Sequence, residues 1–190
     1  MALWGTTVTA DESKPKWLTD AQKKEVYATD RGWVQLNGKG NEEVLCSIGG
    51  LSGSSATTGL GAATISATDF VTETFDVSAG GNIDVRVIYN EKVTVTGNPT
   101  VAITNDQTGG GSAAALTAAY VSGTGTNRLT FRVTLGAGGT TVVADDVLSI
   151  GAQNVALAGG TLKDTGTTLN SLVAISAAAG AAAGTLTAIA

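Results

Sequence analysis

The groups able to do chemistry in this chain are almost all carboxylates. Of its 190 residues none is histidine, and one, Cys46, is cysteine. Imidazole is the usual general base near neutral pH and the commonest transition-metal ligand, so its absence leaves Asp and Glu to supply any acid, base or metal-binding work. A lone thiol closes no intrachain disulfide and builds no thiolate metal cluster. Its setting, Val44-Leu45-Cys46-Ser47-Ile48, reads as a strand, where a free cysteine packs as a small hydrophobe.

Among the carboxylates, Asp145-Asp146 stand together. With Asp106 or Asp164 they would meet at one end of a sandwich and offer carboxylate and carbonyl oxygens to a hard cation such as Ca2+. No Asp-x-Asp-x-Asp-Gly loop is present, and acidic loop residues are ordinarily solvated, so the expectation is no resident metal and no cofactor. Hydrolysis by a carboxylate pair needs a perturbed pKa in a cleft. No spacing in the chain marks such a pair, and the chain reads as non-enzymatic.

Recognition is better supplied. All three tryptophans (Trp4, Trp17, Trp33) and six of the eleven Lys/Arg residues lie in the first 39 positions. Indole rings and long basic stems give large contact area per residue, which makes Trp4, Lys14, Lys16, Trp17, Arg31 and Trp33 the candidate partner-binding set. The same tryptophans could instead form the core of a tiny head. Roughly 50 residues without metal or disulfide bury little surface, which favours order assisted by a partner.

Charge narrows the partners. The net charge is −5, and after Gly50 five Lys/Arg face nine Asp/Glu, so no basic stripe exists to displace counterions from nucleic acid. No window holds the ~20 apolar residues that a helical membrane span needs. The first residues lack the basic and apolar regions of a secretory signal.

The elements that must position these groups follow from pattern. Thr19-Asp20-Ala21-Gln22 fits a capping box opening a short helix to about Tyr27. Gly32 to Leu36 and Glu43 to Ile48 fit a hairpin, joined across Asn37-Gly38-Lys39-Gly40-Asn41. Strands are expected at Phe70 to Val77, Ile83 to Tyr89, Pro99 to Thr104, Leu116 to Val121, Leu129 to Leu135, Val147 to Ile150, Val155 to Leu157 and Leu172 to Ile175, with Gly-rich turns between them. In two of these, apolar residues strictly alternate with polar ones: Ile83, Val85, Val87 and Tyr89 share one face, and so do Leu129, Phe131, Val133 and Leu135. The fold class is therefore all-β, an antiparallel β-sandwich with a small, partly extended N-terminal region. It divides as an anchoring arm and head over 1–50, a Gly/Ser/Thr/Ala-rich linker over 51–69, the sandwich over 70–175 and an Ala/Gly-rich tail over 176–190.

The run from Ile83 to Val101, the segment Tyr120-Val121-Ser122-Gly123-Thr124-Gly125-Thr126-Asn127-Arg128-Leu129-Thr130-Phe131 and Gly159-Gly160-Thr161-Leu162-Lys163-Asp164 are similar, in order, to bacterial immunoglobulin-like repeats of large surface adhesins. The resemblance spans about 70–175 and implies an immunoglobulin-like sandwich without implying an activity. In the head, Met1-Ala2-Leu3-Trp4-Gly5, Ser13-Lys14-Pro15-Lys16-Trp17-Leu18, Ala28-Thr29-Asp30-Arg31-Gly32-Trp33-Val34 and Val44 to Leu51 resemble the start of virion structural proteins of T4-like marine cyanophages. That likeness implies a capsid decoration or accessory protein, made in the host cytoplasm and residing in the virion. Its implied partners are other virion proteins, either the major capsid protein or tail and neck proteins. A tail or neck accessory protein, or a carbohydrate-binding or adhesion module for a host-surface glycan, is the alternative.

Overall fold

The computed structural model describes residues 14–55 and 59–190. In chain order the elements are α1 (Asp20–Glu25), β1 (Tyr27–Thr29), β2 (Gly32–Leu36), β3 (Glu42–Ser47), β4 (Ile65–Phe70), β5 (Phe75–Asp76), β6 (Gly81–Thr96), β7 (Thr100–Asn105), β8 (Ala115–Ser122), β9 (Thr126–Leu135), β10 (Val147–Ser149), β11 (Gln153–Asn154), β12 (Thr161–Asp164), β13 (Ala174–Ile175), α2 (Ala177–Ala181) and β14 (Thr185–Ile189). Hydrogen-bonded neighbours run β3-β2-β1-β6-β9-β8-β7-β10-β14-β5, with β4 and β12 also on β6, and β11 pairs with β13. This is an all-β sandwich closing over one main core.

The alternating strands behave as their patterns require. Ile83, Val85 and Val87 on β6 stand opposite Val133, Phe131 and Leu129 on β9, and all but the partly buried Val133 are sealed in the core. Tyr120 meets the Phe131 ring edge-on at 6.0 Å. On the outward face, Arg132 binds Asp84 through two hydrogen bonds of 2.6 and 2.7 Å.

Strand β6 runs for 16 residues, well past the expected end at Tyr89. It changes neighbours on the way. Its first half pairs with β4 and β9; the register with β9 shifts between Ile88 and Val93, and beyond that point β12 pairs antiparallel, Asp164 facing Val93. At the changeover β1 joins in parallel, Ala28 beside Glu91.

In the head the expected helix start and hairpin form, but α1 ends at Glu25, Tyr27–Thr29 is a strand, β1, and the head has a core of its own. Thr19 accepts from the Gln22 amide at 3.2 Å and the Gln22 side chain accepts from the Thr19 amide at 2.9 Å, a complete capping box on α1. In the β2–β3 hairpin, Asn37 Oδ1 holds the turn by accepting from the Lys39 and Asn41 amides. Gly32 takes φ +122°, and a side chain there would run into the Cys46 carbonyl, so only glycine lets the strands close. Leu18, Val26, Ala28, Trp33 and Leu51 make a second, small core, with Cys46 packed partly buried against it.

Several segments differ from the sequence expectation. The linker over 51–69 contains the buried Leu51 and Ala63 and ends in β4, which lies along β6 from Ile65 to Phe70. The expected strand Phe70 to Val77 is split, β4 ending at Phe70 and β5 covering only Phe75–Asp76. The tail over 176–190 folds into α2 and β14. Ser176 caps α2 by accepting from the Ala179 amide, Thr68 of β4 donates to the Ala179 carbonyl at 2.8 Å, and β14 sits between β10 and β5 with Leu186 and Ala188 in the main core. The sheet is mixed rather than wholly antiparallel, because β1 runs parallel to β6 and β14 parallel to β5.

Candidate functional site

The N-terminal recognition set divides on inspection. Trp4 lies outside the described residues. Trp33 is fully buried and is the largest side chain of the head core, so it holds the head together and presents nothing to a partner. Lys14 is only 5% exposed; its ammonium lies 5.4 Å from the Trp33 ring centroid and donates to the Lys23 carbonyl at 3.4 Å. Arg31 forms an ion pair with Glu42 at 2.6 Å. Lys16 is exposed, and Trp17 is 70% exposed, whereas Trp33 is buried in the head core.

The expected cluster of aspartates also divides. Asp146 is fully buried below the β7–β8 loop, where it accepts from Asn105 Nδ2 at 2.8 Å and from the amides of Gly109, Gly111 and Val143 at 2.9, 3.3 and 3.1 Å. Burial pushes its carboxyl up, but those four hydrogen bonds outweigh it and hold the group below its ordinary value. A side chain at Gly111 would collide with the carboxylate, so glycine is what lets the amide reach it. Asp106 accepts from the Thr108 amide and hydroxyl and from the Val147 amide. Asp145 is exposed. These groups clamp a loop, and Asp164 is engaged elsewhere.

Asp164 belongs with Glu91. Because Asp164 faces Val93 in the β12–β6 register, its side chain shares a face with Glu91, the diagonal neighbour on the same strand. Each residue is 1% exposed. Asp164 Oδ1 accepts from the Gly166 and Thr167 amides at 2.7 and 3.3 Å, whereas Asp164 Oδ2 and both carboxyl oxygens of Glu91 are buried without a hydrogen-bond donor. Burial first, then the charge of Asp164 and a hydrogen bond to it, push the Glu91 carboxyl up to about 8. Two ionised carboxylates are both acceptors, so neither satisfies the other unless one carries a proton or a cation stands between them.

The pair lies on the wall of a cavity of about 540 Å3 between head and sandwich, which Asp30, Glu42, Lys92 and Ser52 also line. Glu42, also on the lining, accepts from Lys92 at 2.7 Å, Tyr27 at 3.0 Å and Arg31 at 2.6 Å. The Lys92 hydrogen bond is the largest influence, and despite some burial the group is held below its ordinary pKa. Lys92 also lies 5.2 Å from the Tyr27 ring centroid. Head and sandwich are joined further by the Arg128–Glu25 ion pair and by Lys24 donating to the Ala182 carbonyl at 2.9 Å.

Glu91 is the residue that the sequence reading passed over, and a signal was available. Counting on by twos from Ile83, Val85, Val87 and Tyr89 reaches Glu91 and Val93, which in sequence alone puts an acid on the core side; in the structure Val87 to Glu91 are all buried. No family model matches the chain, and no curated protein or solved structure matches it either. The fold defines its class as an all-β sandwich with a head sharing the central strand.

Proposed function

We propose that this chain is a non-enzymatic structural protein of a phage particle, a capsid decoration or accessory protein, attached through its N-terminal region and projecting an immunoglobulin-like sandwich. The observation that carries the attachment is Trp17, an indole 70% exposed beside the exposed Lys16, at the start of the described chain. An exposed tryptophan next to a charge, outside a core already filled by Trp33, has the composition of a protein-binding hot spot. The cyanophage-like head motifs support the particle as its setting. Trp33 and Lys14 hold the head in shape, and the Lys92–Glu42 ion pair ties it to β6.

Deleting the first 50 residues is a poor test, because it strips β1 from β6 and opens the core around Glu91. Trp17→Ala combined with Lys16→Ala leaves the folded parts intact. Re-binding of purified protein to particles stripped of it should weaken by ~30-fold or more, the scale of a hot spot worth ~2 kcal/mol. Wild-type occupancy and affinity in the double variant would overturn the attachment.

A further inference from the structure

We propose that Glu91 and Asp164 form a binding site for a hard divalent cation, Ca2+, at the junction of head and sandwich. The first observation is the pair itself: two acids on adjacent strands, sharing a face and walled in to 1% exposure each. The second, independent of their proximity, is that three of their four carboxyl oxygens are buried with no donor. Buried polar atoms nearly always have a partner, and one proton shared between the two acids satisfies only one oxygen of each, so a Glu91 oxygen is still left without a partner, a shortage that a cation between the carboxyl groups removes. The fourth, Asp164 Oδ1, is fixed by the Gly166 and Thr167 amides, which holds that carboxylate in place.

The surroundings select the ion. Asp30 and Glu42 add negative charge to the cavity, and Lys92, the one basic lining group among the described residues, is taken by Glu42 at 2.7 Å. The chain has no histidine, and Cys46 lies in the head core, so soft or borderline metals find no nitrogen or sulfur ligand here. Oxygen ligands suit Ca2+ or Mg2+. Of the two, Ca2+ suits a pair of acids held in place by the fold, because it accepts six to eight oxygens in loose geometry whereas Mg2+ demands a near-ideal octahedron; the adjoining cavity of about 540 Å3 has room for the water that completes the shell. No third Asp, Glu, His or Cys completes a three-ligand cluster among the described residues. Two protein carboxylates place the affinity in the weak range of extracellular modules, Kd of roughly 0.1–1 mM. The ion takes the position between the carboxyl groups that a shared proton holds without it. None of this depends on what the chain attaches to.

The test uses the full chain. Thermal unfolding at pH 8 should shift upward by ~3 °C or more between chelator and about 10 mM CaCl2, with a smaller rise in MgCl2. Calorimetric titration of the wild-type chain should give one Ca2+ per chain, a readout that does not require any variant to fold. Glu91→Gln and Asp164→Asn should each abolish the shift, and Asp145→Asn, which removes an exposed carboxylate, should keep it. Absence of both the thermal shift and the titration heat overturns the proposal and leaves a proton as the group between the acids. A shift of wild-type size in both Glu91→Gln and Asp164→Asn also overturns it, because the ion then binds elsewhere.

Discussion

Asp146 and Glu91 are both acids sealed from solvent in the same sandwich, and their surroundings could hardly differ more. Asp146 has four donors converging on it, two of them amides of a loop in which Gly111 makes room for the approach. Glu91 has none, and its nearest polar company is a second carboxylate. Burial costs the same kind of free energy at both positions, but only at Asp146 is it offset by hydrogen bonds to the charged form. A buried charge with every lone pair spoken for is a structural clamp. An acid without donors is instead driven toward its protonated form, which is why the Glu91 carboxyl is raised to about 8.

The comparison breaks most visibly at Asp146. Asp146→Ala strands Asn105 and three amides without their acceptor and should destabilise the protein by ~3–5 kcal/mol, measured by equilibrium denaturation. A loss below about 1 kcal/mol would mean that water replaces the carboxylate and the clamp is dispensable.

Glu91 should respond with the opposite sign. Its carboxyl is raised to about 8, so the folded state binds the proton more tightly than the unfolded chain does. That contribution is fully present below about pH 4, the value of an unfolded Glu, and is lost as pH rises through about 8. In chelator at pH 9, Glu91→Gln, which keeps the shape and gives Asp164 a donor, should therefore be more stable than wild type by ~1–4 kcal/mol. At pH 5 the two should nearly coincide. Equal stability at both pH values would show that Glu91 is satisfied in the folded protein.

The smallest effect lies on the acid side. Asp146 is held below its ordinary value, so its stabilisation is present above about pH 4 and disappears as pH falls through the lowered folded value. Each unit of lowering contributes ~1.4 kcal/mol, and Asp146→Ala should flatten that part of the acid limb while leaving the alkaline limb of Glu91 unchanged. Parallel pH profiles in wild type and variant would remove Asp146 from the account.

Much of this was legible in the chain. Strict alternation at Ile83 to Tyr89 and Leu129 to Leu135 gave the central strands, and Thr19 with Gln22 gave the helix start, because each signal is complete within a few residues. The segments over 51–69 and 176–190 were hidden by composition. Ala, Gly, Ser and Thr carry little hydrophobic contrast, and β4 and β14 are strands because neighbours already in place supply their pairing. The Leu186, Ala188 alternation was there, but weak. The Glu91–Asp164 pair needed the register between β6 and β12, which no local pattern contains, and Asn90-Glu91-Lys92 has the look of a strand end.

Strand β6 has a mechanical meaning as well. At about 3.3 Å per residue its 16 residues amount to roughly 50 Å of backbone, paired with β9 of the sandwich from Gly81 to Val93 and with β1 of the head at Glu91. A load applied to the head reaches the middle of the sandwich along a single covalent strut instead of through a flexible tether. The hydrogen bonds flanking that strut are strained along the strand direction, many at once, rather than peeled open one by one. Head and sandwich thus share one covalent strand, backed by the Arg128–Glu25 and Lys24–Ala182 contacts, so neither turns freely against the other.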